Sequence, residues 1–217
     1  MRKEILTNNN YYHIYNRGVD KREIFCTKAD FSKFIYSMND FNNRLDKNER
    51  DIIKRKISPA KIITELSSVM EEKLVDMVCY CLVPNHYHFI LKQLTDDGIR
   101  IFMHKIGTGF TNYFNLKNNR TGSLFQGPYK SVPVESDEQL LYLSAYVNGN
   151  AEIHNVASAG DWRWGSHNEY LGSQIGKCNK ELILRQFKGE DEYREFVNTV
   201  IKEATARKAE KKKYLLD

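Results

Sequence analysis

The chain has little that would tie it to an extracellular, membrane or disulfide-held class. Of its 217 residues only four are cysteine: Cys26, Cys79, Cys81 and Cys178. Their spacing is irregular, so they form neither a disulfide framework nor a strong metal-ligand pattern. Cys79 and Cys81 alternate along an apolar run and share one face, so they read as reduced core thiols in a cytoplasmic protein. No run of about 18 apolar residues exists, which excludes a transmembrane helix by length. Met1-Arg2-Lys3-Glu4 lacks the apolar stretch of a signal peptide. There is no internal repeat and no low-complexity linker.

What is present is ordinary in bulk and specific in detail. Hydrophobic residues make up 41% and charged residues 28%, which suits one domain with a good core. Net charge is +5, with 13 Tyr and 11 Phe. That balance permits a polyanionic partner, and basic charge mixed with aromatics suits single-stranded nucleic acid. An aromatic-rich core explains the same composition.

Hydrophobic periodicity gives an ordered set of elements. Tyr11 to Arg17 alternates as a strand, with His13, Tyr15 and Arg17 on one face and Tyr12 and Ile14 on the other. Thr27 caps a helix whose buried face is Phe31, Phe34, Ile35, Met38 and Phe41. Asn42 to Lys56 is a polar surface segment, and Pro59 opens a short helix with Ile62, Ile63, Leu66 and Met70 inward. Val75 to Val83 and His86 to Lys92 form a hairpin about Pro84-Asn85. A helix follows from Ile99 to Phe114; Gly107 and Gly109 within it suggest a close approach by another segment. Tyr129 to Val134 is a strand, and Ser136 caps a helix that ends at Gly149-Asn150.

The order strand, helix, strand, strand, helix, strand, helix predicts an α+β fold. It is an antiparallel four-stranded sheet of ferredoxin-like or RNA-recognition-like topology with its helices on one face. Its first and third strands are central neighbours, so the His13 face and the His86/His88 face would be continuous. The expected division is a core domain over 1–155 and a C-terminal helical extension over 156–217. The extension carries both tryptophans, an amphipathic stripe of Tyr193, Phe196, Val197, Val200 and Ile201, and a basic tail from Arg207 to Lys213.

Chemistry concentrates at Pro84-Asn85-His86-Tyr87-His88. On a strand, residues i and i+2 share a face, so His86 and His88 can reach one metal ion. Two satisfied strand histidines fit the spacing equally well. Tyr146 and Asn150, at i and i+4, lie one helical turn apart on one face. Beside the strand, Asn150 would add an oxygen to two imidazoles, a donor set that suits Mg²⁺ or Mn²⁺ acting on phosphate and leaves Zn²⁺ as the alternative. Tyr146 would then attack a phosphodiester.

These residues fall in an ordered pattern. It comprises Tyr12-His13-Ile14-Tyr15-Asn16-Arg17-Gly18, then Leu82-Val83-Pro84-Asn85-His86-Tyr87-His88, then Arg120-Thr121-Gly122-Ser123-Leu124-Phe125-Gln126. Tyr146-Val147-Asn148-Gly149-Asn150, Trp164 and Tyr170-Leu171-Gly172 follow. Over roughly Tyr11 to Gly172 the chain resembles the REP-associated tyrosine transposases of the single-tyrosine HUH superfamily.

That resemblance implies a DNA-binding strand transferase acting on single-stranded or hairpin DNA. His86, His88 and Asn150 would be the ligands of a divalent metal, Mg or Mn, and Tyr146 the nucleophile that forms a 5′-phosphotyrosine. It also favours a monomer, with a dimer sharing active-site helices as the alternative. Where the family commonly has Arg, His and Pro around the nucleophile, this chain has Ala145, Asn148 and Ala151. Gly149 in that turn is expected to loosen the tyrosine. Arg17, Lys117, Arg120, Lys130 and Arg163 are the candidate phosphate grips.

The alternative is a single-strand nucleic-acid binder that keeps the fold without cleaving. A two-histidine phosphoesterase needs a second His-x-Ser/Thr, and none of His13, His104, His154 or His167 sits in one. An RNA-recognition domain needs an aromatic Arg/Lys-Gly-Phe-type strand, which is absent.

Overall fold

Four strands pair into one antiparallel sheet in the order β2-β3-β1-β4. They are β1 (Tyr11–Arg17), β2 (Val75–Val83), β3 (His86–Gln93) and β4 (Lys130–Pro133). The computed structural model describes residues 5–45, 49, 51, 52, 55 and 72–214. The short helix expected from Pro59 lies outside them, as does most of 46–56. The expected topology is present, with β1 and β3 as the central pair.

Strand alternation sorts the side chains. Tyr12 and Ile14 of β1 bury with Tyr87, Phe89 and Leu91 of β3 on one face. Two long helices cover that face: α1 (Lys28–Asp40) and α2 (Gly98–Lys117). They contribute Phe31, Phe34 and Met38, and Phe102, Ile106, Phe110 and Phe114. Thr27 and Asp30 close a capping box on α1. A Cβ on Gly109 would fall 2.8 Å from the Phe41 ring, so the end of α1 approaches α2 there, while Gly107 meets open space.

The opposite face is covered as well, which corrects the one-faced expectation. Here lie α3 (Asp137–Asn148), α4 (Asn150–Ile153) and the last helix, α7 (Glu190–Tyr214). The short helices α5 (His167–Tyr170) and α6 (Glu181–Leu184) precede α7. The reason is legible in β2, which is apolar almost throughout and so is buried on both sides. A bulge between Met77 and Cys79 adjusts its register. Val78 and Cys79 consequently both turn to the second face, and Cys81, Val83 and Ile90 join them there.

Residues after 155 stitch the two layers. Trp164 stacks on Phe31 at 5.0 Å, and Tyr170 stacks on Tyr193 of α7 at 5.0 Å. The segment around Gly165 bridges to Cys81 and covers the outer edge of β2, with Leu82 N donating to Trp164 O and Ser166 N to Tyr80 O. The other edge strand, β4, is four residues long and carries Lys130 and Pro133. Both are features that discourage edge pairing. Among the described residues no helix is long and apolar enough to cross a membrane.

Candidate active site

The second face carries a row of histidines. In the β1–β3 register Tyr15 pairs with His88 and Arg17 with His86, so these side chains share that face as cross-strand neighbours. The His13 and His88 rings stack at 5.0 Å, Tyr15 and His88 at 5.5 Å, and His86 meets His88 edge-on at 5.2 Å. His13, His86 and His88 are all under a tenth exposed.

The hydrogen bonds orient the rings. His86 Nδ1 lies 2.6 Å from Asn85 Oδ1, an atom that can only accept. His86 therefore donates from Nδ1 and keeps the Nε2 lone pair. His88 Nδ1 and His13 Nε2 are 2.8 Å apart. With His88 as donor in that bond its Nε2 is likewise free, and His13 acts behind it as an orienting partner. Burial holds His13 down to about 4 from the usual 6.5. Burial, then the neighbouring His154 and Arg17, holds His86 down to about 3. Burial, then His13 and His86, holds His88 well below its usual range. Neutral imidazoles with free Nε2 atoms are the form that binds metal.

α3 and α4 bring the other partners. Ser136 caps α3 by accepting from Gln139 N. Gly149 N donates to Ala145 O, and Ile153 N to Gly149 O, so the helical path continues through the join with Gly149 itself in right-handed helical geometry. Tyr146, Asn150 and His154 thus recur every fourth residue along one face. Gly149 does not loosen this turn. A Cβ there would lie 2.4 Å from Ile201 Cγ1, so the glycine lets α7 seat directly against the join. Asn148 adds a second tie, donating to Tyr193 OH at 2.7 Å and accepting from Ser166 Oγ at 2.6 Å.

The Tyr146 ring stands edge-on to His88 at 5.9 Å. Burial raises its phenol above the usual value, with Asn150 acting in the opposite sense. Asn150 is fully buried, and neither Oδ1 nor Nδ2 reaches a partner at hydrogen-bonding geometry. Its carboxamide nonetheless borders both His86 and Tyr146 closely enough to favour a charged form of each. Buried polar atoms are nearly always satisfied, so an orphaned amide between a histidine and a tyrosine fits a missing ligand. Two Nε2 atoms and an amide oxygen fit a divalent cation with open positions. Among the described residues no three His, Cys, Asp or Glu side chains are placed to hold one by themselves.

The five basic residues divide. Arg17 borders His86, and its Nε is buried without a partner. Lys130 lies opposite Tyr15 in the sheet, with Nζ 5.9 Å from the Tyr15 ring, which in turn stacks on His88. The other three are placed elsewhere. Lys117 pairs with the buried Asp30 at 2.6 Å and bonds Thr27. Arg120 bonds Asn115 and Ser123. Arg163 lies over Trp164 and lines a separate cavity of about 980 Å³ between α1, β2 and the 173–178 segment. Sequence reasoning left His13, His154 and Lys208 out of the site. Spacing pointed to the first two: His13 shares a strand face with Tyr15 and Arg17, and His154 follows Asn150 by four residues.

No protein-family model and no curated protein matches the sequence. Among solved structures, that of the REP-associated tyrosine transposase bound to a REP hairpin superposes with a TM-score of 0.53 at 13% identity. The match covers 81% of this chain and 91% of that one. The crystal structure of tRNA(His) guanylyltransferase from Saccharomyces cerevisiae overlaps more loosely, at a TM-score of 0.32 and 12% identity, over 93% of this chain and 81% of that one. The sheet order, the helices on both faces and the long superposition give this chain the fold of a REP-associated tyrosine transposase.

Proposed function

We propose that the protein cleaves and rejoins single-stranded DNA at hairpin or palindromic sites through a covalent tyrosine intermediate. The observation that carries this is Asn150, a buried carboxamide without a well-aligned hydrogen bond, lying between a metal-competent histidine and a tyrosine. The shared fold and the ordered motifs add support, since the matched structure is of a transposase bound to a hairpin.

His86 Nε2, His88 Nε2 and Asn150 Oδ1 would hold a divalent cation. Bound there, Mg²⁺ or Mn²⁺ supplies charge to the phosphate oxygens. Tyr146 Oη attacks the phosphorus, the bond to O3′ breaks, and the leaving oxygen ends as a 3′-hydroxyl after taking a proton. The 5′ phosphate stays on the tyrosine, so the bond energy is kept and rejoining needs no ATP. His13 and Asn85 keep the imidazoles oriented. Tyr146 must lose its proton in a buried setting that disfavours the phenolate, so attack depends on charge supplied at the phosphate.

The test is incubation of the full chain with a hairpin oligonucleotide bearing single-stranded flanks, plus Mn²⁺. A covalent protein–DNA adduct is expected, lost in Tyr146→Phe and weakened in His88→Ala. An adduct that persists in Tyr146→Phe removes the nucleophile from the scheme. No adduct, with tight binding retained, leaves a single-strand binder.

A further inference from the structure

Lys208 stands apart from the basic tail to which the sequence assigns it. It follows Ala204 by one helical turn, an exposed residue in line with the buried Val197, Ile201 and Ala204 of α7. Its Nζ donates to Ile153 O at 3.1 Å and contacts His154 Nδ1 at 3.2 Å. An ammonium only donates, so His154 accepts there and carries its proton on Nε2. The His154 ring meets His86 at 4.5 Å. Arg17 is the cross-strand neighbour of His86, with its Nε buried and unpartnered.

Two cationic side chains flank the His86–His154 ring pair: Arg17 from β1 and Lys208 from α7. Among the described residues neither Arg17 nor Lys208 is ion-paired to a carboxylate. The contacts run in sequence from Tyr146 to His88, His86, His154 and Lys208, so this cluster sits at the far end of the row from the tyrosine. Three donors from three elements, two cationic and unopposed, suit one phosphate.

We propose that Arg17, His154 and Lys208 form a phosphate-binding subsite beside the histidine pair, which grips the phosphodiester next to the one Tyr146 attacks. This rests on the function proposed above. The last helix thereby supplies part of the DNA path, which couples the seating of α7 to the register of the strand over the tyrosine.

The experiment measures affinity of the full chain for the same flanked hairpin oligonucleotide across a salt series, with EDTA present. Lys208→Gln and Arg17→Gln should each weaken binding about tenfold and make the slope of log affinity against log salt shallower by roughly 0.7–0.9, the loss of one phosphate contact. Lys208→Arg should restore the slope, and Tyr146→Phe should keep it, because the phenol carries no charge. Native slopes in both Gln variants overturn the subsite. The adduct assay with Mn²⁺ separates the two claims. Adduct formation with unchanged slopes removes the subsite and keeps the enzyme. Shallower slopes without any adduct keep the subsite and remove the enzyme.

Discussion

At Asn150 the fold accepts a local cost. A buried amide whose contacts to His86 and Tyr146 fall short of good hydrogen-bond geometry is destabilising, by at most about 1–3 kcal/mol. Asn150→Leu, which fills similar space without polar atoms, should therefore stabilise the metal-free protein by about 1 kcal/mol while abolishing the adduct. Thermal melting with and without Mn²⁺ gives a readout independent of activity. The native protein should melt higher with the ion, and the Leu variant should not respond. An equal rise in both would exclude the amide oxygen as a ligand. His86, His88, Tyr146 and Asn150 were legible in the sequence because strand and helix periodicities place them on single faces. His13 was legible as a face neighbour, but its bond to His88 needed the β1–β3 register. Lys117, Arg120 and Arg163 were singled out on charge alone, which says nothing of the Asp30, Asn115 and Trp164 that engage them.

At the scale of elements, the contact between the α3–α4 join and α7 decides how firmly the tyrosine is held. Gly149→Ala puts a methyl against Ile201 and should cost about 1–3 kcal/mol. The double variant with Ile201→Ala should recover part of that loss, giving a coupling measurable by urea denaturation. Strict additivity would mean that the two residues do not touch. Most elements could be read from the sequence to within a residue or two: β1 and β2 match their expected bounds, and α1 begins after its expected cap. Two things could not. The bulge at Val78 changes which residues of β2 face the histidine side, and nothing in Val75 to Val83 marks it. Gly149-Asn150 reads as a helix end, yet the hydrogen bonds continue into α4, because the glycine answers to packing by α7, distant in sequence, and not to a local turn.

For the whole molecule, buried neutral histidines set the response to acid. His13 and His167 are held down to about 4, chiefly by burial, and His86 to about 3. The unfolded chain binds these protons near 6.5 and the folded chain does not, so their contribution is full above 6.5. It is lost as pH falls from there towards 4, on the order of 3 kcal/mol for each of the rings held near 4. Typical domains hold only 5–15 kcal/mol in all. The urea midpoint should accordingly drop between pH 7.5 and 5. A midpoint unchanged over that range would show that the rings take up protons in the folded state.

The join at Gly149 also has a bearing on time. The tyrosine, its histidines and the lysine lie on segments far apart in the chain, brought together only when the sheet has closed and Ile201 has docked. A chain still emerging from the ribosome therefore carries a free phenol and scattered imidazoles that have not yet met. On the function proposed above, the capacity to break DNA would arise only once α7 has seated against the join.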